Sequence, residues 1–185
     1  RKHVLEYDDV MNQQRKIIYQ YRKEVLDSLS GSNELLVEFI GDVVDDAIGK
    51  IAQGRTMTAE EQASILEAVF DVAGLQDSVF SEINFSLTVD TFRKELVDAL
   101  WSRYTTARAK LTEEMIAASE KWLLLETIDF AWRTHLNNLD QIQDGINFRG
   151  YAQRDPLTEY KKEAFFAFER MILEIKMNVL NALYK

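Results

Sequence analysis

The sequence predicts an all-α protein: an elongated helical scaffold, a long antiparallel two-helix finger and a smaller helical wing. Three observations carry this. Apolar residues recur at three- and four-residue steps along most of the chain, the spacing that gathers them on one face of a helix. The 185 residues include one proline and seven glycines, too few for a fold with many tight turns. Apolar residues make up 46% and charged residues 29%, ordinary values for a folded chain with a packed core.

Residues 1–30 form the first element. Val4, Tyr7, Met11, Ile18, Tyr21, Val25 and Leu29 trace one helix face, with Gln14 as a polar interruption. The run SLSGSN, Ser28 to Asn33, ends it with turn-forming residues. No capping signal precedes the stripe at Arg1, so its start reads as a cut within a longer helix, and fraying through about Met11 is expected.

Residues 31–111 read as several shorter helices, the wing. Leu36, Phe39, Ile40, Val43, Val44, Ile48 and Ile51 share a broad face that should end at Gly54. Thr58, followed by Glu61, is a capping box that opens the next helix, which runs through Ile65, Leu66, Val69 and Phe70 to Gly74. Signals are mixed from Leu75 to Thr88. Helix returns with Phe92, Leu96, Leu100, Trp101 and Tyr104 directed inward.

Residues 112–185 form the finger. Met115, Ala118, Trp122, Leu125, Ile128, Trp132, His135 or Leu136, Leu139 and Ile142 make a stripe of some 30 residues. Phe165, Phe168, Ile172, Ile175, Val179 and Ala182 make a second, widened by Tyr160, Ala164 and Met171. Helices of this length span about 45 Å, against a radius of gyration of roughly 16 Å for a compact chain of this size. They should therefore pair as a hairpin and pack back on the first helix.

The tip, about 145–155, holds more chemistry than a turn needs. Gly145 or Gly150 can close the incoming helix in the left-handed conformation. Asp155 is an N-cap and Pro156 suits the first helical position. Phe148, Arg149, Tyr151, Gln153 and Arg154 are left over. An amphipathic aromatic between guanidinium groups suits a contact that touches many sequences without selecting one, whereas folding back onto the hairpin is the bland alternative.

Composition and motifs exclude much. The absence of cysteine excludes disulfides and thiolate metal sites. A net charge of −9 argues against nucleic acid as a partner. No G-x-x-x-x-G-K-[ST] run occurs, so no nucleotide cradle is expected here, and no catalytic constellation is legible. Asp8 and Asp9 point about 100° apart on a helix and do not suggest a metal pair. His3 and His135 lack a partner at ligand spacing, and His135 is expected as a satisfied core histidine. Trp101, Trp122 and Trp132 are expected mainly in the core.

Two stretches carry a resemblance. YDDVMNQQRKIIY, Tyr7 to Tyr19, is similar to the scaffold helix of the SecA family of bacterial preprotein translocase ATPases. WRTHLNNLDQIQDGINFRGYAQRDPLTEYKKEAF, Trp132 to Phe165, resembles that family's two-helix finger, in the same order along the chain. It departs from the family at Gln143, where a basic residue is usual, at Phe148, where an aliphatic one is, and at Arg133-Thr134, where a lysine–acid pair is.

The resemblance implies the wing and part of the scaffold of a helicase-like motor. The finger would enter the cytoplasmic mouth of the SecY channel complex. Tyr151, supported by Arg149, Gln153 and Arg154, would touch the translocating preprotein. Trp132, His135, Gly145, Gly150, Asp155, Pro156 and Tyr160 would shape the finger. Tyr7, Asp8, Asp9, Arg15 and Tyr19 would face the nucleotide-binding domains of the parent chain. ATP and magnesium belong to those domains, so no cofactor is expected here, and enzyme activity would be the parent's. The implied location is cytoplasmic, peripheral to the inner membrane. Anionic lipid is a further partner that the basic tip would suit, and a homodimer stays open. A helical adaptor that docks partners on its apolar faces is the alternative.

Overall fold

The computed structural model describes residues 2–28, 32–149 and 155–185. Among them are six α-helices: α1 (Lys2–Asp27), α2 (Asn33–Ile51), α3 (Ala59–Ala73), α4 (Val89–Arg108), α5 (Glu113–Arg149) and α6 (Pro156–Leu183). One 3-10 turn, Asp77–Phe80, lies in the stretch where sequence signals were mixed. No sheet is present among these residues. A single antiparallel bridge joins Thr56 to Thr88, where Met57 N–H donates to Leu87 O at 2.9 Å and Val89 N–H to Arg55 O at 2.9 Å. The all-α class is as the sequence indicates.

The chain divides into two compact units. One contains α1, α5 from Leu124 onward and α6 as far as Ile175. The other contains α2, α3, the 3-10 turn and α4, with the start of α5 to Leu123 and the end of α6 from Lys176.

The second unit has the larger hydrophobic core. Ile40, Val43, Val44 and Ile48 of α2 meet Ile65, Val69 and Phe70 of α3, Phe92, Leu96 and Leu100 of α4, and Leu180 of α6. Local chemistry sets the ends of its helices. Thr58 Oγ1 accepts from Glu61 N–H at 3.1 Å while Glu61 Oε2 accepts from Thr58 N–H at 2.8 Å, the expected capping box. Gly74 takes φ 68°, which only glycine adopts freely, and this lets Leu75 N–H reach Phe70 O at 2.9 Å. The end of α2 comes at Ile51, ahead of the expected stop at Gly54.

Buried polar groups in this unit are joined in a network. The Glu120 carboxylate is 2% exposed; it accepts from the Tyr104 hydroxyl at 2.7 Å, the Ser32 N–H at 3.3 Å and the Arg108 guanidinium. Arg108 also reaches Asn33 Oδ1 at 3.0 Å and lies over the Trp101 ring, 5.1 Å from its centroid. The start of α2 is thereby tied to α4 and α5. Burial and the hydrogen bond to Glu120 push the Tyr104 hydroxyl pKa well above the ordinary phenol value. Elsewhere Lys176 pairs with Asp42 and sits 5.5 Å from the Phe39 ring centroid, while Tyr184 donates to Leu100 O at 2.6 Å.

Several expected core positions are exposed. Met115 is 53% and Trp122 66% exposed on the outer face of α5, and Phe165 is exposed on α6. A three- and four-residue period identifies a helix face, but whether a neighbour covers that face depends on the rest of the fold. Trp122 is therefore a surface residue of this unit, contrary to expectation, whereas Trp132 is buried.

Candidate functional site

In the first unit α1 lies along a hairpin made by α5 and α6. His135 of α5 meets Phe168 of α6 with ring centroids 5.7 Å apart, while Leu139 and Ile146 share a cluster with Tyr160 and Ala164. The two helices therefore run antiparallel. Tyr7 completes the cluster from α1, its ring 4.7 Å from that of Tyr160. Burial raises the hydroxyl pKa of both tyrosines, so both stay neutral donors at physiological pH.

Gln14 is the polar centre of this packing, 7% exposed in a stripe that is otherwise apolar. Its Nε2 donates to the Ala164 carbonyl at 3.1 Å, and its Oε1 lies 2.6 Å from His135 Nε2. His135 is buried beside the rings of Trp132 and Phe168. Desolvation lowers its pKa to about 4, so the ring is neutral at pH 7. The core role expected for His135 holds, and Gln14, read as an interruption, turns out to be its partner. The available signal was one polar residue on each of two apolar stripes, and only the fold pairs them.

Closer to the other end of α1, Arg22 forms a two-point ion pair with Asp129 of α5, at 2.7 and 3.0 Å. A cavity of about 450 Å³ opens between α1 and α6, lined by residues including Asp9, Ile17, Lys161, Phe165, Phe168 and Glu169. No group of three or more metal-ligating side chains occurs among the described residues, and none of their helices is long and apolar enough to cross a membrane.

A family model described as the SecA wing and scaffold domain matches residues 1–185. The chain belongs to that family. Similar proteins include the protein translocase subunits SecA of Thermodesulfovibrio yellowstonii, 40% identical over 189 residues, and of Syntrophobacter fumaroxidans, 35% identical over 187. The SecA of Bartonella henselae is 35% identical over 196 residues. Each alignment covers 100% of this chain but only 20%, 22% and 21% of the respective relative, so the chain spans about a fifth of these proteins.

The residues that the SecA resemblance singled out fall into three groups. Tyr7, Trp132, His135 and Tyr160 are buried together in the α1–α5–α6 packing. Asp8, Asp9 and Tyr19 are exposed on α1, and half-buried Arg15 turns back to Asn12 Oδ1 at 3.4 Å and the Met11 sulfur at 4.0 Å. Around the tip, Asp155 caps α6, its Oδ1 accepting from Leu157 N–H at 3.4 Å and its Oδ2 from the Thr158 hydroxyl at 2.9 Å. Pro156 stands at the first helical position as expected.

Gly145 does not close α5, because the helix continues through it to Arg149. Residues 145–149, expected within the tip, are therefore part of α5. Glycine inside a helix costs about 1 kcal/mol relative to alanine, and burial of Ile146 against Leu139 and Tyr160 opposes that cost. Gly150, Tyr151, Gln153, Arg154 and the Arg149 side chain lie outside the described residues.

Proposed function

We propose that the chain is the non-catalytic wing and scaffold portion of an ATP-driven SecA translocase, in which the α5–α6 hairpin serves as the finger that meets preprotein and channel. The observation that carries this is the family match over the whole length. Two long antiparallel helices with Asp155 and Pro156 framing the start of α6 support the finger reading. Tyr151 is the residue assigned to polypeptide contact, with Arg149, Gln153 and Arg154 flanking it. The SecY channel complex and a translocating preprotein are the partners. ATP and magnesium act in the motor domains of the parent, which sit at the cytoplasmic face of the membrane. The exposed Asp8, Asp9 and Tyr19 of α1 are the contacts offered to those domains.

The test is Tyr151→Gly in the parent translocase, assayed for ATP-dependent import into channel-containing vesicles. Import should fall several-fold while nucleotide binding stays intact. Unchanged import would remove the fingertip role. A second reading, an adaptor that docks partners on apolar helix faces, draws on exposed Leu111, Met115 and Trp122. It requires Trp122→Ser, and not Tyr151→Gly, to abolish function.

A further inference from the structure

We propose that Gln14 is a latch that sets the register of α1 against the α5–α6 hairpin, holding His135 as its neutral Nε2–H tautomer. The Ala164 carbonyl can only accept a hydrogen bond, so the Gln14 amide nitrogen must face it, as the 3.1 Å contact requires. That leaves Oε1, also an acceptor only, 2.6 Å from His135 Nε2. The imidazole must therefore carry its proton on Nε2.

One side chain of α1 thus engages both helices of the hairpin. A one-turn slide of α1, about 5.4 Å, would break both bonds together and leave an amide and an imidazole unpaired among Trp132 and Phe168, rings that are 9% and 6% exposed. Aliphatic contacts such as those of Val10 and Met11 tolerate such a slide because one apolar neighbour replaces another. The Arg22–Asp129 pair, with side chains 36% and 40% exposed, can exchange its partner for water. Gln14 therefore holds register through two buried hydrogen bonds, one to each helix of the hairpin, and releasing it favours movement of α1 along the hairpin. This inference stands independently of what the fingertip contacts.

The chain has no cysteine, so a pair introduced at Lys16 of α1 and Asn137 of α5, both exposed, takes spin labels cleanly. Double electron–electron resonance at pH 7 should give one narrow distance in the otherwise unmodified chain. In Gln14→Met it should give a second population or at least a twofold broader distribution, with helical content retained. A narrow, unchanged distance in Gln14→Met would overturn the latch, because a residue that only packs lowers stability without releasing register. Nitrogen-15 NMR of His135 in the unmodified chain gives an answer even where the variant fails to fold. The Nε2–H tautomer at pH 7 is expected, and the Nδ1–H tautomer would overturn the proposal.

Discussion

Glu120 and His135 are ionisable groups placed where ionisable groups are rarely found, and each is held there by a different means. The Glu120 carboxylate is held by hydrogen bonds from Arg108, Tyr104 and the Ser32 N–H. Removing it strands a cation and two donors in low dielectric, the condition under which breaking a buried pair costs about 3–5 kcal/mol. Glu120→Ala should therefore lower the urea midpoint sharply, and Glu120→Gln less so, because the amide oxygen still accepts. His135 stays neutral. Its described neighbours, Gln14, Trp132 and Phe168, carry no charge, and burial lowers its pKa to about 4, below the 6.5 of exposed imidazole.

As pH falls, the unfolded chain takes up the proton first. The stabilisation is full above about pH 6.5 and is lost towards pH 4, amounting to on the order of 2–3 kcal/mol. Urea titrations between pH 7 and 5 should show this slope in the unmodified chain and a flatter one in His135→Gln. An equal slope in both would place the titrating group elsewhere.

At the scale of elements, helix starts were more legible than helix ends. Thr58 with Glu61 announces α3, and Asp155 with Pro156 announces α6, because a cap is local chemistry that the sequence states directly. Thr58→Ala should cost about 1 kcal/mol, read as a lowered melting temperature. Helix ends depend on packing as well as on local chemistry. Gly145 and Gly150 were equal candidates for a stop from local chemistry, and α5 runs through Gly145 to Arg149 with Ile146 buried. Periodicity named the faces of α5 correctly near His135 and Leu139, but it made the same claim for Met115 and Trp122, which are exposed. Trp122→Ser should accordingly change stability by less than about 0.5 kcal/mol. A loss of several kcal/mol would show that its ring is covered.

For the whole molecule, helical class and family were legible because both rest on long patterns: apolar steps over the chain, and the residues of Tyr7–Tyr19 and Trp132–Phe165. The pairing of Gln14 with His135 and Ala164 was not legible, since it joins positions more than 100 residues apart through helix register alone. The division into two compact units, with its boundary inside both α5 and α6, was equally hidden, because an unbroken helix gives no compositional sign of where its neighbours change. At this scale the proposed function rests on Tyr151, which lies between α5 and α6 in the sequence. The measurement to make is photocrosslinking from a reactive residue placed at position 151 of the parent translocase on channel-containing vesicles. Crosslinks to an arrested preprotein that require ATP-driven engagement are expected. Crosslinks to neither preprotein nor channel would contradict the fingertip role and leave the hairpin a scaffold.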